Sequence, residues 1–225
     1  MKEIQAWLKF FTDRMLGRFP ANICCLGIQG SYARGEAGAD SDIDLVVVFH
    51  KLSFDVLKQY KELLAEIVKG FKLCGFVGDR QILSEWNDGE LLQLYFDTLP
   101  LYGSLDFISN KINRQAALRL VQQNSCNIYH GCCHNYLFDR DWQLLRDLYK
   151  AAVFTVQAKY YYSQNAYLTS HRELQQSADA DDKEILSIAA MFKNNFQKKP
   201  ELLEECSSKL LAWSCKNIIE FGKGQ

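Results

Sequence analysis

The chain has 225 residues, of which 48% are hydrophobic, 13% aromatic and 24% charged, and this composition excludes a disordered chain, a collagen-like fibre and a coiled-coil rod. The 26 Lys and Arg residues nearly balance the 27 Asp and Glu residues, so the net charge of -1 gives no bulk attraction to nucleic acid or to anionic lipid. At about 150 residues per domain, the length predicts one or two domains. Nucleic acid is therefore not an expected partner.

The segments that would mark export or membrane insertion are missing from the sequence pattern. No segment approaches the roughly 20 apolar residues that span a bilayer, and the N-terminal apolar residues are interrupted by charges, unlike a signal peptide. The eight cysteines include no CxxC pair, so we expect free thiols. These features predict a cytoplasmic protein with no membrane partner.

The first half of the chain predicts a mixture of helices and strands. A helical stripe of apolar residues covers 2–19 and ends at Pro20, and a second helix is expected over 54–69. Apolar, β-forming runs predict three strands, at 22–28, 43–49 and 73–83. Residues 91–97 fit a strand or a helix, and their Leu, Tyr and Phe content favours a strand.

Helical periodicity dominates the second half of the chain, which contains no proline between Pro100 and Pro200. The pattern predicts four helices, at roughly 110–123, 141–163, 181–196 and 200–221. We therefore expect an α+β fold. Residues 1–105 would form a mixed sheet with flanking helices, and residues 106–225 would form an all-α helical bundle domain.

One segment combines a glycine-serine pair with two aspartates on a strand. Gly30 and Ser31 follow the strand at 22–28, where backbone N–H groups and a hydroxyl can bind phosphate. The segment is not a P-loop, because the lysine of that motif is missing. Asp42 and Asp44 begin the next strand and point to the same face, since strand side chains alternate. Two adjacent carboxylates repel each other unless a divalent cation lies between them, and their oxygens suit Mg²⁺. The pattern predicts a site for Mg²⁺ and a nucleoside triphosphate.

This segment resembles the signature of the nucleotidyltransferase superfamily, which includes DNA polymerase β and the antibiotic nucleotidyltransferases. The family pattern is Gly-Ser, a spacer and Asp-x-Asp, matched here by Gly30-Ser31 and Asp42-Ile43-Asp44. The resemblance covers about residues 26–49, and a helical C-terminal domain also occurs in the antibiotic-modifying branch. It implies a nucleotidyltransferase-type fold and the transfer of a nucleoside monophosphate, AMP from ATP in our interpretation, with release of pyrophosphate.

The resemblance also implies roles for individual side chains. Asp42 and Asp44 would bind two Mg²⁺ ions, which bridge the attacking and leaving oxygens. Residues expected to bind the nucleotide are Gly30, Ser31, Arg34 and Ser41. An arginine in a loop is about equally often a solvated side chain, so both interpretations of Arg34 stay open.

A third carboxylate normally comes from a later strand, where it ligates a metal or acts as a general base. Asp97 is the first choice for this catalytic and metal-binding role, and Asp79 is the second. Glu85 and Asp106 are weaker candidates.

The sequence leaves the acceptor open. The branch that it resembles suggests a hydroxyl of a small molecule, such as an aminoglycoside-like antibiotic. One alternative is a minimal nucleotidyltransferase that modifies a protein partner of the toxin–antitoxin type. Another is a non-catalytic nucleotide-binding or interaction protein that kept the fold. Base preference and oligomeric state do not follow from the sequence.

Three further clusters have both a functional and a structural interpretation. The segment 130–134 contains two histidines and two cysteines, but the spacing matches no familiar zinc motif and favours packing. Tyr160–Tyr162 with His171 and Arg172 would line an acceptor surface or, as we favour, belong to the bundle core. The acidic run 179–184 predicts a solvated helix start.

Overall fold

The computed structural model describes residues 2–38, 41–68, 70–192 and 197–222. It divides the chain into two compact units, Met1–Lys111 and Ile112–Gln225. The expected limits of the functional domains, 1–105 and 106–225, stay a prediction.

The first unit is built around a mixed sheet of four strands. They are β1 (Ile23–Gln29), β2 (Ile43–Phe49), β3 (Leu73–Asp79) and β4 (Leu99–Gly103). Their order in the sheet is β3-β2-β1-β4. Strand β1 pairs antiparallel with both β2 and β4, whereas β2 and β3 run parallel. The expected mixed sheet is confirmed.

Helices flank this sheet. They are α1 (Lys2–Arg18), α2 (Gly30–Ala33), α3 (Phe54–Ile67), α4 (Arg80–Glu85) and α5 (Asp88–Asp97), followed by a 3₁₀ helix, Asp106–Lys111. Helices α1 and α3 share one hydrophobic core with alternate side chains of β2, namely Ile43, Leu45, Val47 and Phe49. Because strand side chains alternate, Asp44 lies on the face opposite this core.

Strand β3 is shorter than the sequence predicted, and the cause is the side chain of Asp79. The prediction extended this strand to residue 83, but the chain turns into α4 after Asp79. The carboxylate of Asp79 accepts hydrogen bonds from the backbone N–H groups of Gln81 and Ile82, which start the helix. An N-cap of this kind ends the strand and satisfies N–H groups that have no partner within the helix.

The strand favoured for residues 91–97 is wrong, because this segment belongs to α5. The helix begins after Asn87, whose side chain accepts hydrogen bonds from the N–H groups of Gly89 and Glu90. Three leucines, Leu91, Leu92 and Leu94, are buried on it. Asn87 with Glu90 three residues later is a helix-start pattern, and it outweighs the strand propensity of Tyr95 and Phe96.

The second unit is helical, as expected. It contains α6 (Arg114–His134), a π-helical turn (Asn135–Asp139), α7 (Trp142–Gln164), α8 (His171–Ser177), α9 (Ala180–Met191) and α10 (Pro200–Phe221). Helix α6 runs further than the prediction, which ended at 123, and α8 was not predicted. Part of the expected helix 181–196 lies outside the described residues. No helix in the described part of the chain is long and apolar enough to cross a membrane.

One acidic residue of the second unit departs from the expected solvated helix start. Asp179 caps α9 at its surface, but Asp182 is buried, with 4% of its surface exposed. Its Oδ1 accepts hydrogen bonds from Lys159 Nζ and Trp213 Nε1, both at 2.7 Å. Burial raises the pKa of Asp182, against the opposing effect of the Lys159 charge. The ion pair joins α7 to α9, and the hydrogen bond from Trp213 adds α10.

Candidate active site

The turn after β1 brings the backbone of Gly30 against the carboxylate of Asp44. Gly30 has a φ of +68°, and a Cβ built on it would lie 2.0 Å from Oδ2 of Asp44. Glycine adopts this left-handed conformation without steric cost, and its missing side chain leaves room for the carboxylate. The local backbone therefore favours glycine here, and any side chain at this position would displace the Asp44 carboxylate.

Asp42 and Asp44 are accessible acids without cationic partners among the described residues. Asp44 is half-buried and pairs in register with Gln29 of β1, whereas Asp42 is exposed and precedes the first residue of β2. Neither carboxylate forms a hydrogen bond or an ion pair with a described residue. Strand alternation fixes the face of Asp44 only, because Asp42 lies before the strand. Both acids remain available to an external cation.

The helix that contains Ser31 is a single turn. Helix α2 has four residues, and Gln29, which precedes it, makes no side-chain capping bond to its first N–H groups. Ser31 is half-buried, and its hydroxyl has no hydrogen-bond partner among the residues that the structure describes. The start of α2 therefore offers a hydroxyl and backbone N–H donors that no side-chain cap occupies.

Arg34 and Ser41 both make bonds within the loop between α2 and β2. Arg34 Nε donates to Glu36 Oε2 at 2.9 Å, and its side chain is only 14% exposed. The hydroxyl of Ser41 accepts a hydrogen bond from the N–H of Gly38 at 2.9 Å. These contacts shape the loop that leads to Asp42. A role of Arg34 and Ser41 in nucleotide binding stays a prediction, and Ala39 and Asp40 lie outside the described residues.

Asp97, the first choice for the third carboxylate, is the last residue of α5 and is 8% exposed. Ile28 pairs with Leu45 on one side and with Leu99 on the other, so α5 ends near the same sheet edge as Asp44. Gln29 Nε2 also donates to Thr98 Oγ1 at 3.0 Å, which ties this end of α5 to β1.

The structure does not place Asp97 in a three-ligand metal group with Asp42 and Asp44. In the described ranges, no three or more His, Cys, Asp or Glu side chains are arranged to hold a metal ion. The metal-binding and catalytic roles of Asp97 stay predictions.

Asp79, the second choice, lies at the far end of the sheet. It pairs with Phe49, whereas Asp44 pairs with Cys74, so the two acids are roughly 16 Å apart along the strands at about 3.3 Å per residue. Desolvation raises the pKa of Asp79, but hydrogen bonds from the N–H groups of Leu52, Ile82 and Gln81 outweigh it and lower the pKa. Asp79 therefore caps α4 and lies far from the turn at Gly30 and Ser31.

The two weaker candidates are surface acids. Glu85 is exposed at the end of α4, and Asp106 is exposed and accepts a hydrogen bond from the hydroxyl of Ser104.

Two neighbours of Asp44 were missed by sequence reasoning. Gln29 lies opposite it on β1, and Cys74, an exposed residue, lies beside it on β3. Paired residues of neighbouring strands point to the same face, so both side chains belong to the surroundings of Asp44. Their positions beside Asp44 follow from the strand register, which the residues of this segment alone did not reveal.

Several residues of the other clusters make contacts within the second unit, whereas Arg172 is exposed. Cys132 is buried and its thiol donates to the carbonyl of Ser207, while His134 Nδ1 lies 2.9 Å from Asp139 Oδ2. Tyr161 is buried in the second unit. All eight cysteines are free thiols.

Comparisons with known proteins agree with the geometry of the first unit. The sequence pattern of the nucleotidyltransferase domain family matches residues 26–112, which include the Gly-Ser turn and both aspartates. No curated protein sequence matches the chain significantly.

Two solved structures extend the comparison. Spectinomycin adenyltransferase AAD(9) from Enterococcus faecialis, solved with ATP and spectinomycin, superposes with a TM-score of 0.59 at 11% identity, over 94% of this chain and 99% of that chain. A toxin–antitoxin structure with AMP-PNP has a TM-score of 0.35 at 14% identity, over 46% of this chain and 82% of that chain. The second similarity is too low to support an inference.

The adenyltransferase shares the architecture of a mixed sheet followed by helices, so the predicted fold class is confirmed. The family match likewise confirms the predicted superfamily and the prediction of a nucleotidyl-transferring enzyme. Residues 26–112 of this chain form a nucleotidyltransferase domain.

Proposed function

We propose that this chain transfers AMP from ATP to a hydroxyl of a small-molecule acceptor in a Mg²⁺-dependent reaction. The observation that carries the proposal is the close approach of Gly30 to Asp44, which joins a phosphate-binding turn to a carboxylate that has no cationic partner in the described part of the chain. Asp42 adds a second accessible carboxylate two residues earlier. The free thiols suit the reducing cytoplasm, where we expect the enzyme to act.

The residues present fit Mg²⁺. The ion prefers oxygen ligands and is commonly held by one or two carboxylates together with substrate phosphates, so Asp42 and Asp44 form a sufficient protein contribution. When bound, Mg²⁺ would neutralise negative charge on the phosphates as it develops. In the proposed site, the N–H groups at Gly30 and the Ser31 hydroxyl bind the terminal phosphates and orient the α-phosphorus.

The proposed reaction exchanges one phosphorus–oxygen bond for another. The acceptor oxygen bonds to the α-phosphorus, the bond from the α-phosphorus to the leaving oxygen breaks, and pyrophosphate departs. The hydroxyl proton passes to a general base, for which Asp97 is the candidate. The contribution of the protein is mainly orientation and charge stabilisation, because phosphoryl chemistry needs little covalent help.

The choice of a small-molecule acceptor is supported by the similarity to the adenyltransferase solved with ATP and spectinomycin. That similarity extends over both units of this chain and nearly the whole of the other protein. At 11% identity it does not select an acceptor, so hydroxylated compounds, aminoglycosides among them, must be screened.

The direct test replaces the two aspartates. We expect Asp42→Asn and Asp44→Asn each to reduce pyrophosphate release by at least about 100-fold, since each removes charge that stabilises the transition state. The assay uses labelled ATP with a panel of hydroxylated small molecules. Asp13→Asn, at an exposed position of α1, is the control and retains full activity. Unchanged turnover in the Asp42 and Asp44 variants, with circular dichroism showing intact folds, would reject the proposed site.

A further inference from the structure

A cavity of about 500 Å³ opens on the second unit, between α7, α8 and α9. Its apolar lining includes Val153, Leu186 and Ala189, and its polar lining includes Arg172 and Gln175. This volume is within the range of about 300–1,000 Å³ that is typical of small-molecule sites. The cavity is formed within one unit, and it uses no residue of the proposed nucleotidyl-transfer site.

Hydrogen bonds between α8 and α9 fix one wall of the cavity. Gln175 Nε2 donates to the carbonyl of Lys183 and to the hydroxyl of Ser187, both at 3.1 Å. Leu174, the neighbour of Gln175 on α8, is fully buried in the core of this unit. Gln175 and Ser187 are therefore held in place before any ligand arrives, which lowers the entropic cost of binding.

Arg172 gives the cavity an uncompensated positive charge. Its side chain is exposed, and no described residue forms a hydrogen bond or an ion pair with it. None of the residues that line the cavity is acidic. A guanidinium group binds carboxylate, sulfonate or phosphate groups through paired hydrogen bonds. The cavity therefore favours a ligand that carries an anionic group.

We propose that this cavity binds a small molecule with an apolar body and one anionic group. The apolar body lies against Val153, Leu186 and Ala189, and the anionic group pairs with Arg172. Small residues such as Ala189 leave the volume that the apolar body fills, and removal of that surface from water provides the main driving force. The site shares no residue with the proposed transfer site and would add a second ligand class to the protein.

The test measures binding of two probes to the full chain by isothermal titration calorimetry. 1-Naphthalenesulfonate has an apolar body and an anion, whereas 1-naphthalenemethanol has the same body without the charge. We expect Arg172→Gln to weaken the sulfonate about tenfold and to leave the alcohol unchanged, because only a charge-assisted bond is lost. Arg146→Gln, at an exposed α7 position outside the cavity lining, should change neither affinity.

A second variant tests the apolar part. Ala189→Phe places a ring in the cavity and should weaken both probes by a similar factor. Absence of saturable sulfonate binding to the unaltered chain overturns the proposal, as does equal affinity of the unaltered chain and the Arg172→Gln variant. Thermal unfolding confirms that each variant is folded. Because nucleotidyl transfer is not part of the readout, a negative result leaves the proposed function untouched.

Discussion

At the scale of single residues, the phosphate turn depends on an absent side chain. Gly30 is the first residue of α2 and Gly35 follows the helix, and the two have nearly the same positive φ, +68° and +69°. A Cβ at Gly30 would collide with Asp44, whereas a Cβ at Gly35 would meet no atom within 4 Å. The two glycines therefore separate the cost of the backbone conformation from the cost of displacing a site carboxylate.

We expect Gly30→Ala to abolish Mg²⁺-dependent ATP binding, because the new methyl group displaces the Asp44 carboxylate. Gly35→Ala is the matched control: each alanine costs about 1 kcal/mol for its left-handed backbone, but only the first reaches the site. Calorimetric titration with Mg²⁺ and a non-hydrolysable ATP analogue measures the effect. Equal affinities in the two variants would show that the Gly30–Asp44 contact is irrelevant to binding.

Asp79 illustrates a carboxylate whose role is structural. We expect Asp79→Ala to retain nucleotidyl transfer but to reduce the free energy of unfolding by about 1 kcal/mol, the usual effect of a lost N-cap. The pKa of Asp79 is lowered in the folded protein. Its stabilisation is therefore complete above the unfolded pKa near 4 and is lost as the pH falls through the folded value.

Urea denaturation from pH 7 down to pH 2 checks this expectation. The stability difference between the unaltered protein and Asp79→Ala should shrink as the pH falls. A difference that stays constant over this range, or a loss of transfer activity, would contradict the assignment of Asp79 as a cap.

At the scale of elements, the end of α5 is positioned by contacts between distant parts of the chain. Gln29 bonds to Thr98, and Thr98 Oγ1 also donates to the carbonyl of Leu94 in the last turn of α5. Asp97 lies between Leu94 and Thr98 in the chain. The hydrogen bond from β1 to Thr98 therefore helps to position Asp97 near the end of β1. Residue type favoured a strand here, but the Asn87 cap and the buried leucines require a helix.

The role of Asp97 is tested by Asp97→Ala. We expect transfer to be lost while nucleotide binding is retained, because the predicted general base acts on the acceptor and not on the phosphates. Single-turnover measurements with labelled ATP separate binding from chemistry. Asp106→Ala, which removes an exposed acid of the same unit, is the control and should be fully active. Normal turnover of the Asp97 variant would exclude it as the base.

At the scale of the whole molecule, folding and ligand binding are thermodynamically linked. A ligand that binds only the folded protein raises its unfolding temperature, by an amount that grows with ligand concentration. If Asp42 and Asp44 bind ATP through Mg²⁺, the nucleotide alone should stabilise the protein little. If the two compact units unfold in separate steps, the shift in unfolding temperature can be measured for each unit.

We expect ATP to raise the unfolding temperature by several degrees in the presence of Mg²⁺ and by much less with EDTA. Differential scanning calorimetry measures both conditions on the same sample. The Asp44→Asn variant should show the small shift in both. An equal shift with Mg²⁺ and with EDTA would contradict phosphate binding through the metal.

Local chemistry along the chain was sufficient to predict much of this protein. The Gly30-Ser31 pair and the aspartates at 42 and 44 identified the superfamily, since their chemistry is carried by residue types at a fixed spacing. Apolar periodicities predicted α1, α3, α7 and α10, because each of these helices buries one face, and short apolar runs rich in β-forming residues predicted β1 and β2. These signals lie within one element or between adjacent elements.

Only the tertiary structure decided which acids and neighbours surround Asp44. The β2–β3 register puts Cys74 beside Asp44 and Asp79 at the other end of the sheet. The close approach of Gly30 to Asp44, the burial of Asp182 and the cavity lined by Arg172 likewise depend on packing between different elements. Register and burial arise from packing between elements, and the residues of one element do not encode which partner they will meet.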